Sequence, residues 1–393
     1  MEVNYINSFQ SRNYLDSAIK NGLKVLPFTE VFDDISSQFI KIKLKEINNS
    51  GMYPVIDQSE EFISGYTDDI PKSKAKRNVI VFGDHTKILK YVDFPFIKGA
   101  DGVKVLSLRN ENHNIKYFYY FLKTLNLPDL GYSRYYKILK ESYIPVPNIQ
   151  LQNKFVNIFD SIENLIQTRQ DQIQALDDLV ESTFYDSFGI YISNKDNTVG
   201  LKDITSHISS GSTPRGGSNV YLSEGIPIIR SQDVLMNKLD LTNVAYISEE
   251  THNSMRRSKL KNKDILLNIT GASIGRTAVF NGEDDSANTN QHVASIRLST
   301  KEFLPEFISY YFSTYYFQSL IKNICSGGTR EALNYTQIGM FKIPNVDIEK
   351  QNLFAAFVEK IEGQKEILNR SLEELRDLFD SLMQDAFDGS MVK

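Results

Sequence analysis

The sequence has a single cysteine, Cys325, among 393 residues, so the chain cannot form an internal disulfide. A protein without disulfides is compatible with a reducing compartment such as the cytoplasm. No apolar run reaches the roughly 18 residues that a membrane-spanning helix needs. Residues 1–10 show no basic start followed by an apolar stretch. We therefore expect a cytoplasmic protein with no signal peptide and no membrane partner.

Motifs that would give the chain a catalytic activity of its own are also missing. It contains no Asn-Pro-Pro-aromatic or Asp-Pro-Pro-aromatic sequence for amino methylation, and no phosphate-binding loop ending in Gly-Lys-Ser or Gly-Lys-Thr. The five histidines are scattered without metal-ligand spacing. Cys325 has no histidine nearby in the sequence. We expect a non-catalytic chain, and methyl transfer by the purified chain would contradict this expectation.

Proline is absent between Pro147 and Pro214 and again after Pro344, so two long stretches are open to helix formation. The two stretches are related. Residues 144–190 and 343–389 are identical at 14 of 47 positions, with a constant offset of 199 and no gap. Unrelated sequences of average composition would share about three. The identity therefore indicates an internal duplication.

Both copies carry apolar residues at every third or fourth position, with acidic residues between them. This pattern predicts two amphipathic helices, each about 35–38 residues long. A single helix of that length cannot bury its apolar stripe, so we expect the two copies to pair as an antiparallel coiled coil. Pairing with the helix of another protein is the alternative.

The segments that precede the two helices resemble each other more faintly. Short β-branched runs separated by glycine and asparagine indicate irregular strands, and each segment has an aromatic helical stretch, Tyr117 to Leu125 or Phe303 to Phe317. We predict an α+β fold in which two mixed α/β modules in tandem are separated by the two helices, with pseudo-twofold symmetry. The predicted parts are an N-terminal segment (1–23), a first module (24–143), a central helix (144–198), a second module (199–342) and a C-terminal helix (343–393).

The net charge of −5 is unevenly distributed along the chain. Residues 24–143 carry 18 basic and 15 acidic side chains, and residues 199–342 carry 15 and 13. The two helical segments each carry a net charge of −5. Two mildly basic modules that face an anion, joined by acidic helices, are one interpretation of this pattern. Random fluctuation is the other.

Several short motifs occur in a fixed order along both halves of the chain. They are Tyr53-Pro54-Val55-Ile56-Asp57-Gln58, Val81-Phe82-Gly83-Asp84-His85-Thr86, Gly131-Tyr132-Ser133-Arg134, Ile228-Ile229-Arg230-Ser231-Gln232-Asp233 and Ser326-Gly327-Gly328-Thr329-Arg330. Together with the repeated helix, their order resembles the specificity (S) subunit of Type I restriction–modification enzymes.

The resemblance implies that each module is a target recognition domain that reads one half of a bipartite target in double-stranded DNA. It also implies that the helices set the gap between the halves and dock two methyltransferase subunits, which motor-nuclease subunits then join. S-adenosylmethionine, ATP and Mg are expected on those partners, and no cofactor in this chain. A specificity subunit of another multisubunit restriction or phage-defence system is one alternative. A coiled-coil scaffold that binds proteins is a second.

Candidate DNA contacts are polar loop residues that can donate hydrogen bonds to base edges or phosphates. In the first module they are Lys74, Lys76, Arg77, His85, Lys87, Ser133 and Arg134. In the second module they are Thr213, Arg215, Arg230, Ser231, Arg256, Arg257, Lys259, Thr329 and Arg330. Ser133-Arg134 and Thr329-Arg330 are interpreted as an equivalent pair. Candidate partner contacts on the helices are Asp160, Glu163, Glu359 and Glu362, with a merely solvated face as the alternative.

Overall fold

The computed structural model describes residues 12–68, 78–99, 102–131, 133–194, 196–325 and 332–392. The chain divides into two compact units. One contains the residues up to 172 together with those from 368 onward, and the other contains residues 173–367. Each unit consists of one α/β module with a segment of each long helix.

The first unit contains ten strands and the start of the first long helix among its described residues. The strands are β1 (Lys24–Pro27), β2 (Phe32–Asp34), β3 (Lys41–Ile42), β4 (Tyr53–Ile56), β5 (Gly65–Thr67), β6 (Val79–Gly83), β7 (Leu89–Val92), β8 (Ile97–Gly99), β9 (Val103–Leu108) and β10 (Tyr143–Val146). The helices are α1 (Arg12–Lys20), α2 (Phe28–Val31), α3 (Ile115–Lys123), α4 (Tyr136–Leu139) and α5 (Ile149–Ser193), whose last residues belong to the second unit.

The second unit repeats this plan. Its strands are β11 (Thr198–Gly200), β12 (Thr205–Ser210), β13 (Ile226–Ile229), β14 (Ala245–Ile247), β15 (Ile265–Asn268), β16 (Thr277–Val279), β17 (Asn288–Thr289), β18 (Val293–Leu298) and β19 (Lys342–Pro344). Its helices are α6 (Glu249–Ser254), α7 (Pro305–Ser313), α8 (Tyr315–Cys325), α9 (Tyr335–Gly339) and the first part of α10 (Ile348–Phe387).

The central sheet of each module is antiparallel, with strand order β2-β9-β6-β7 in the first and β12-β18-β15-β16 in the second. A smaller sheet has the same strand arrangement in both modules. Strand β4 pairs parallel with β8 and antiparallel with β5, as β13 does with β17 and β14. All residues of β6 and β15 are buried, which explains their nearly continuous apolar sequences. The predicted α+β class with two related modules is confirmed.

The long helices begin at Ile149 and Ile348, which are separated by the same 199 residues as the sequence repeat. They contain 45 and 40 residues, so both are longer than predicted. The Ile-Pro pairs assigned to the helical segments lie in strands instead. Ile144 pairs with Leu26 of β1, and Ile343 pairs with Val199 of β11.

In the second unit the two helices run antiparallel. The ring of Phe354, near the start of α10, lies 5.2 Å from Phe184 and 5.5 Å from Phe188, near the end of α5. Farther along α10, Lys365 Nζ lies 2.5 Å from Oδ1 of Asp177, which precedes Phe184 in α5. The predicted pairing of the two apolar stripes is therefore present in this unit. The pseudo-twofold relation between the units stays a prediction.

In the first unit the early part of α5 packs against the last turns of α10 and against α3. The ring of Phe159 lies 5.9 Å from Phe379 and 5.8 Å from Phe387. Tyr117 and Phe121 of α3 each lie 5.3 Å from Phe387. All five side chains belong to one buried cluster. Helix α3 therefore connects the module to both long helices by aromatic packing.

A buried glutamine of α5 connects the helix to the module. Gln152 is 0 % exposed. Its Oε1 accepts the backbone N–H of Asn114 at 2.9 Å, and its Nε2 donates to the carbonyl of Pro147 at 2.8 Å. Asn114 is the N-cap of α3, and its side chain accepts from Lys116 N–H. Gln152 thereby holds the start of α3 at the start of α5.

The repeat places the same device in the second unit. Gln351 is also 0 % exposed, and its Oε1 accepts the backbone N–H of Leu304, the N-cap of α7, at 2.8 Å. Its Nε2 donates to the carbonyl of Val346 at 2.7 Å. Since each carbonyl lies five residues before its glutamine, these two hydrogen bonds are equivalent in the two units.

Replacing Gln152 by leucine removes these hydrogen bonds while it keeps most of the side-chain volume. We expect Gln152→Leu to lower the free energy of unfolding by about 2–4 kcal/mol, because buried N–H and C=O groups without partners cost about 1–3 kcal/mol each. Urea denaturation followed by far-ultraviolet circular dichroism measures the change. Gln167→Leu, at an exposed position of the same helix, is the control and should stay within about 0.5 kcal/mol of the unmodified chain. Equal stability of the two variants would contradict the anchoring role.

Candidate nucleic-acid interface

The registers of the central sheets define which loop residues are equivalent in the two modules. Gly83 lies opposite Val103 in the first module, and Asn268 lies opposite Val293 in the second. The next residue donates its N–H to the carbonyl of Gly102 in the first module and of His292 in the second. Position 84 is therefore equivalent to 269, 85 to 270, and 102 to 292.

The same two residues receive a second segment of chain. The carbonyl of Asp84 accepts the N–H of Tyr135 at 2.8 Å, and that of Ile269 accepts the N–H of Leu333 at 2.9 Å. Tyr135 and Leu333 thus make equivalent backbone contacts. Thr329 and Arg330 lie outside the described residues, so the interpretation of Ser133-Arg134 and Thr329-Arg330 as an equivalent pair stays a prediction.

In the first module three segments meet at this edge of the sheet. The N–H of His85 donates to Gln58 Oε1 at 3.3 Å, and Thr86 Oγ1 donates to the Gln58 carbonyl at 2.7 Å. His85 Nδ1 lies 3.0 Å from the carbonyl of Ser133, so this nitrogen carries the proton. Arg134 follows and is exposed. We call Gln58, His85, Thr86, Ser133 and Arg134 cluster 1.

A buried ion pair supports the loop that carries Gln58. Asp57 accepts the N–H of Ser59 at 2.9 Å, and its Oδ1 lies 3.8 Å from Nζ of Lys90, a lysine that is only 3 % exposed. Burial opposes ionisation of Asp57, but hydrogen bonds from Ser59 and Ser64 and the charge of Lys90 outweigh it and lower its pKa. Burial also lowers the pKa of Lys90. The paired carboxylate of Asp57 therefore stabilises the loop that carries Gln58.

Lys87, a predicted DNA contact, also makes contacts inside the first module. Its backbone has φ +64°, an uncommon conformation for a residue with a side chain. Its Nζ lies 4.4 Å from the centre of the Tyr135 ring and 3.6 Å from Asp129 Oδ1. These contacts join the turn after β6 to the segment before α4, and the amine is half-buried there.

In the second module a chain of side-chain hydrogen bonds occupies the equivalent edge. Thr213 Oγ1 donates to Gln291 Oε1. Gln291 Nε2 lies 2.9 Å from His292 Nε2, and His292 Nδ1 lies 2.6 Å from Thr270 Oγ1. We call these four residues cluster 2. Each cluster contains one imidazole. In the first module it belongs to position 85, which is equivalent to Thr270, and in the second it belongs to position 292, which is equivalent to Gly102.

Two exposed arginines of the second module share one turn. Arg256 and Arg257 occupy a 3-10 turn that includes Ser258, and Lys259 follows it half-buried. The turn is attached to β17 by Asn288, which is 0 % exposed and donates from Nδ2 to Ser258 Oγ at 2.8 Å. Two cations on a rigid turn are suited to phosphate contacts.

Arg230 has a structural role inside the second module, and its predicted DNA contact stays a prediction. Its guanidinium donates from Nε and Nη2 to the two carboxylate oxygens of Asp233, both at 3.0 Å, and from Nη2 to the carbonyl of Asn243 at 2.7 Å. The side chain of Asp233 is 4 % exposed. Arg230 therefore stabilises the loop after β13 with its Nε and Nη2 donors. Its neighbour Ser231 is half-buried, and its carbonyl accepts from Asn268 Nδ2 at 2.7 Å.

Five of the predicted contacts lie outside the described residues. These are Lys74, Lys76, Arg77, Thr329 and Arg330. Arg215 is described, is exposed, and follows the buried Pro214 in the loop after β12.

The predicted partner contacts on α5 are engaged within the first unit. The hydroxyl of Tyr120 lies 2.5 Å from Asp160 Oδ1 and 2.7 Å from Glu163 Oε2. Lys116 pairs with Asp160 at 2.8 Å, and Lys123 pairs with Glu163 at 2.7 Å. Burial, followed by these two carboxylates, strongly raises the pKa of Tyr120. Asp160 and Glu163 thus hold α3 on α5, and their contact with a partner stays a prediction.

On α10, Glu362 shares Lys365 with Asp177 of α5. Its Oε1 lies 2.9 Å from the lysine Nζ. Glu359 is exposed on the same helix. Of the predicted acidic contacts, Glu359 therefore has the most accessible side chain.

Within the part of the chain that the structure describes, no group of three or more histidine, cysteine, aspartate or glutamate side chains is arranged to hold a metal ion. Within the same residues, no helix combines the length and the apolar character that crossing a membrane requires.

Sequence reasoning missed the two glutamines of the clusters, Gln58 and Gln291. Gln58 belongs to one of the motifs quoted above, but nothing in its local sequence separates it from other polar loop residues. Gln291 immediately precedes His292, and only the pairing of β18 brings it to Thr213.

The fold defines a tandem protein, in which one module plan occurs twice with different surface side chains. The family model of the Type I restriction modification DNA specificity domain matches residues 23–177 and again residues 195–377. The chain belongs to this family.

Curated relatives match parts of the chain. Over 174 residues the chain is 28 % identical to the Type I restriction enzyme EcoBI specificity subunit of Escherichia coli. This aligned region covers 43 % of this chain and 36 % of the relative. Over 272 residues the chain is 21 % identical to the MjaVIII specificity subunit of Methanocaldococcus jannaschii, which covers 65 % and 63 %. The aligned parts span less than two-thirds of these relatives.

Solved structures match nearly the whole chain in fold. The S subunit of a Type-I restriction-modification system from M. genitalium has a TM-score of 0.60 and 17 % identity, and the match covers 93 % of this chain and 96 % of that one. A chain from a study of complex assembly and conformational transition in the type I R-M system has a TM-score of 0.55 and 14 % identity, with coverages of 93 % and 97 %. At these identities the likeness concerns the fold alone.

The structural role of Arg230 gives a stability prediction. We expect Arg230→Ala to lower the free energy of unfolding by about 2–4 kcal/mol, because removal of one partner leaves the carboxylate of Asp233 buried and unpaired. Arg215→Ala removes the same charge at an exposed site and should change stability by no more than about 0.5 kcal/mol. Chemical denaturation of both variants measures the difference. If both variants are as stable as the unmodified chain, the internal role of Arg230 is wrong.

Proposed function

We propose that the chain is the DNA sequence-recognition subunit of a Type I restriction–modification enzyme and has no catalytic activity of its own. In this proposal each module reads one half of a bipartite target in double-stranded DNA. The observation that carries the proposal is the pair of clusters. They occupy equivalent positions in two modules of the same family domain, but they present different hydrogen-bonding groups.

To read two different half-sites, the two modules need different hydrogen-bonding side chains on the same backbone frame. Bases are distinguished in the major groove by the positions of donors and acceptors, whereas phosphates require mainly positive charge. Cluster 1 offers a glutamine, an imidazole and an exposed arginine, and cluster 2 offers a glutamine, an imidazole and two threonines. The exposed cations at Arg134, Arg215, Arg256 and Arg257 are suited to the phosphates beside them. Binding should therefore weaken as the salt concentration rises.

The two long helices would serve as the spacer that sets the unread gap, and their exposed acidic faces would dock two methyltransferase subunits. Motor-nuclease subunits would then join to complete the restriction enzyme. S-adenosylmethionine, ATP and Mg would act on those partner subunits, and the complex would work in the cytoplasm, where the DNA is. A specificity subunit of another multisubunit restriction or phage-defence system shares the same recognition role.

A methylated-base map of the host genome tests the recognition role. Deletion of the gene should remove one bipartite adenine-methylation motif. Exchange of residues 24–143 for the corresponding module of another family member should change one half of the motif and retain the other, because the two modules fold as separate copies of one plan. If both halves change together, the modular reading is wrong. If deletion leaves the map unchanged and the chain does not bind duplex DNA, a protein-binding scaffold is favoured.

The spacer role predicts the effect of lengthening both helices. Four residues inserted after Gln172 in α5 and four after Ile367 in α10 add one turn, about 6 Å, to each helix. Since DNA rises about 3.4 Å per base pair, we expect the unread gap in the methylation motif to grow by about two base pairs. The same insertion in α5 alone shifts its pairing with α10 and should reduce methylation instead. An unchanged gap in the doubly lengthened chain would exclude the spacer role.

A further inference from the structure

The amide of Gln291 is held from both sides. The hydroxyl of Thr213 donates to its Oε1, and its Nε2 lies 2.9 Å from Nε2 of His292. The residue is nevertheless exposed. An exposed glutamine normally samples several rotamers, and ordering it costs free energy on binding. Here the position of the amide is set before any ligand arrives.

The hydrogen-bond chain gives each polar atom of the Gln291 amide a partner. An amide nitrogen can only donate, so Nε2 of His292 is the acceptor in the arrangement shown, and the proton of the neutral imidazole sits on Nδ1 and is donated to Thr270 Oγ1, 2.6 Å away. With the amide reversed, its nitrogen would donate to Thr213 Oγ1 and its oxygen would accept from His292 Nε2, with the imidazole proton moved to that nitrogen. The network therefore holds the amide in place in both arrangements.

Two hydrogen-bonding capacities of Gln291 remain after these internal contacts. Nε2 has a second N–H, and Oε1 has a second lone pair. They lie side by side on one planar group. Adenine presents the complementary pair, an N7 acceptor and an N6 donor, on its major-groove edge, and glutamine pairs with it by two hydrogen bonds.

The surroundings hold Thr213, and so Gln291, at this edge of the sheet. The N–H of Gly211 donates to the Val293 carbonyl at 3.2 Å, and the N–H of Ser212 donates to the Thr289 carbonyl at 3.3 Å. A Cβ at position 211 would lie 1.8 Å from the Thr289 carbonyl oxygen, so only glycine allows this approach. Arg215 extends the same loop and is exposed, as a phosphate contact beside the base would require.

We infer that Gln291 reads one adenine in the half-site bound by the second module, with Thr213 and His292 as the positioning residues that orient its amide. The inference rests on the proposed function, because it names a base contact within the recognition that this function requires. The inference gives the base contact to an uncharged glutamine that belongs to no motif. Arg230 of the same module, in contrast, is paired with Asp233.

Gln291→Glu tests the inference by changing the kind of base that is read. A carboxylate accepts hydrogen bonds but donates none, so it opposes adenine N7 and suits the N4 donor of cytosine. His292 can move its proton to Nε2 and donate to the new carboxylate, with Thr270 as donor to Nδ1, so the cluster can accommodate the change. The preference at one position should therefore shift from adenine to cytosine.

The experiment uses the chain co-expressed and purified with its methyltransferase subunits. The complex selects duplexes from a pool with a randomised segment, and the bound duplexes are sequenced. We expect the ratio of adenine to cytosine at one position of one half-site to fall at least about tenfold in Gln291→Glu, because a bidentate contact is worth about 1–3 kcal/mol. Gln291→Ala should lose the adenine preference there without gaining another base. The other half-site should be unchanged in both variants.

Gln364→Glu adds the same charge at an exposed position of α10 and is the matched control, for which the selected motif should stay the same. An unchanged motif in Gln291→Glu, or an equal loss at every position of the half-site, would overturn the assignment. Failure of the proposed function gives a different result, since the unmodified complex would then enrich no bipartite motif at all.

Discussion

Two fully buried glutamines connect the recognition modules to the helices that separate them. Gln152 and Gln351 each satisfy the backbone N–H at the start of the module's aromatic helix and a carbonyl just before their own helix. A buried amide that loses such partners destabilises the structure, so the module cannot rotate on the helix without breaking both bonds. The direction in which each module presents its polar cluster depends on this joint.

The joint is reinforced by aromatic packing in both copies. In the first unit, Tyr117 of α3 lies 5.3 Å from Phe387 of α10. In the second unit, Phe307 of α7 lies 5.0 Å from Phe188 of α5, which is the position equivalent to Phe387 by the offset of 199. The ion pairs differ, since among the described residues only the first unit holds a tyrosine, Tyr120, between two carboxylates, Asp160 and Glu163. The hydrogen-bonding frame and this aromatic contact are therefore both retained from one copy to the other.

A division between a constant frame and variable side chains occurs at the other end of each module. The backbone bonds at Asp84 and Ile269 are equivalent, yet the side chains around them are not. One imidazole lies in each cluster, supplied by His85 beside Gly102 in the first module and by His292 beside Thr270 in the second. Because the side chains differ while the backbone frame is the same, one architecture can read two different halves of a ligand.

The sequence by itself determined the duplication, the presence of both long helices and the α+β class, because identity at a constant offset and apolar periodicity can be seen in the sequence alone. It also identified segments that carry exposed cations, such as Arg134, Arg215 and Arg256. Only the tertiary structure decided that Gln58 meets His85, that Gln291 meets Thr213, and that Arg230 is committed to Asp233. The two glutamine contacts join residues 27 and 78 positions apart. Strand register, and not local composition, brings such residues together, and a one-residue shift in register would separate them.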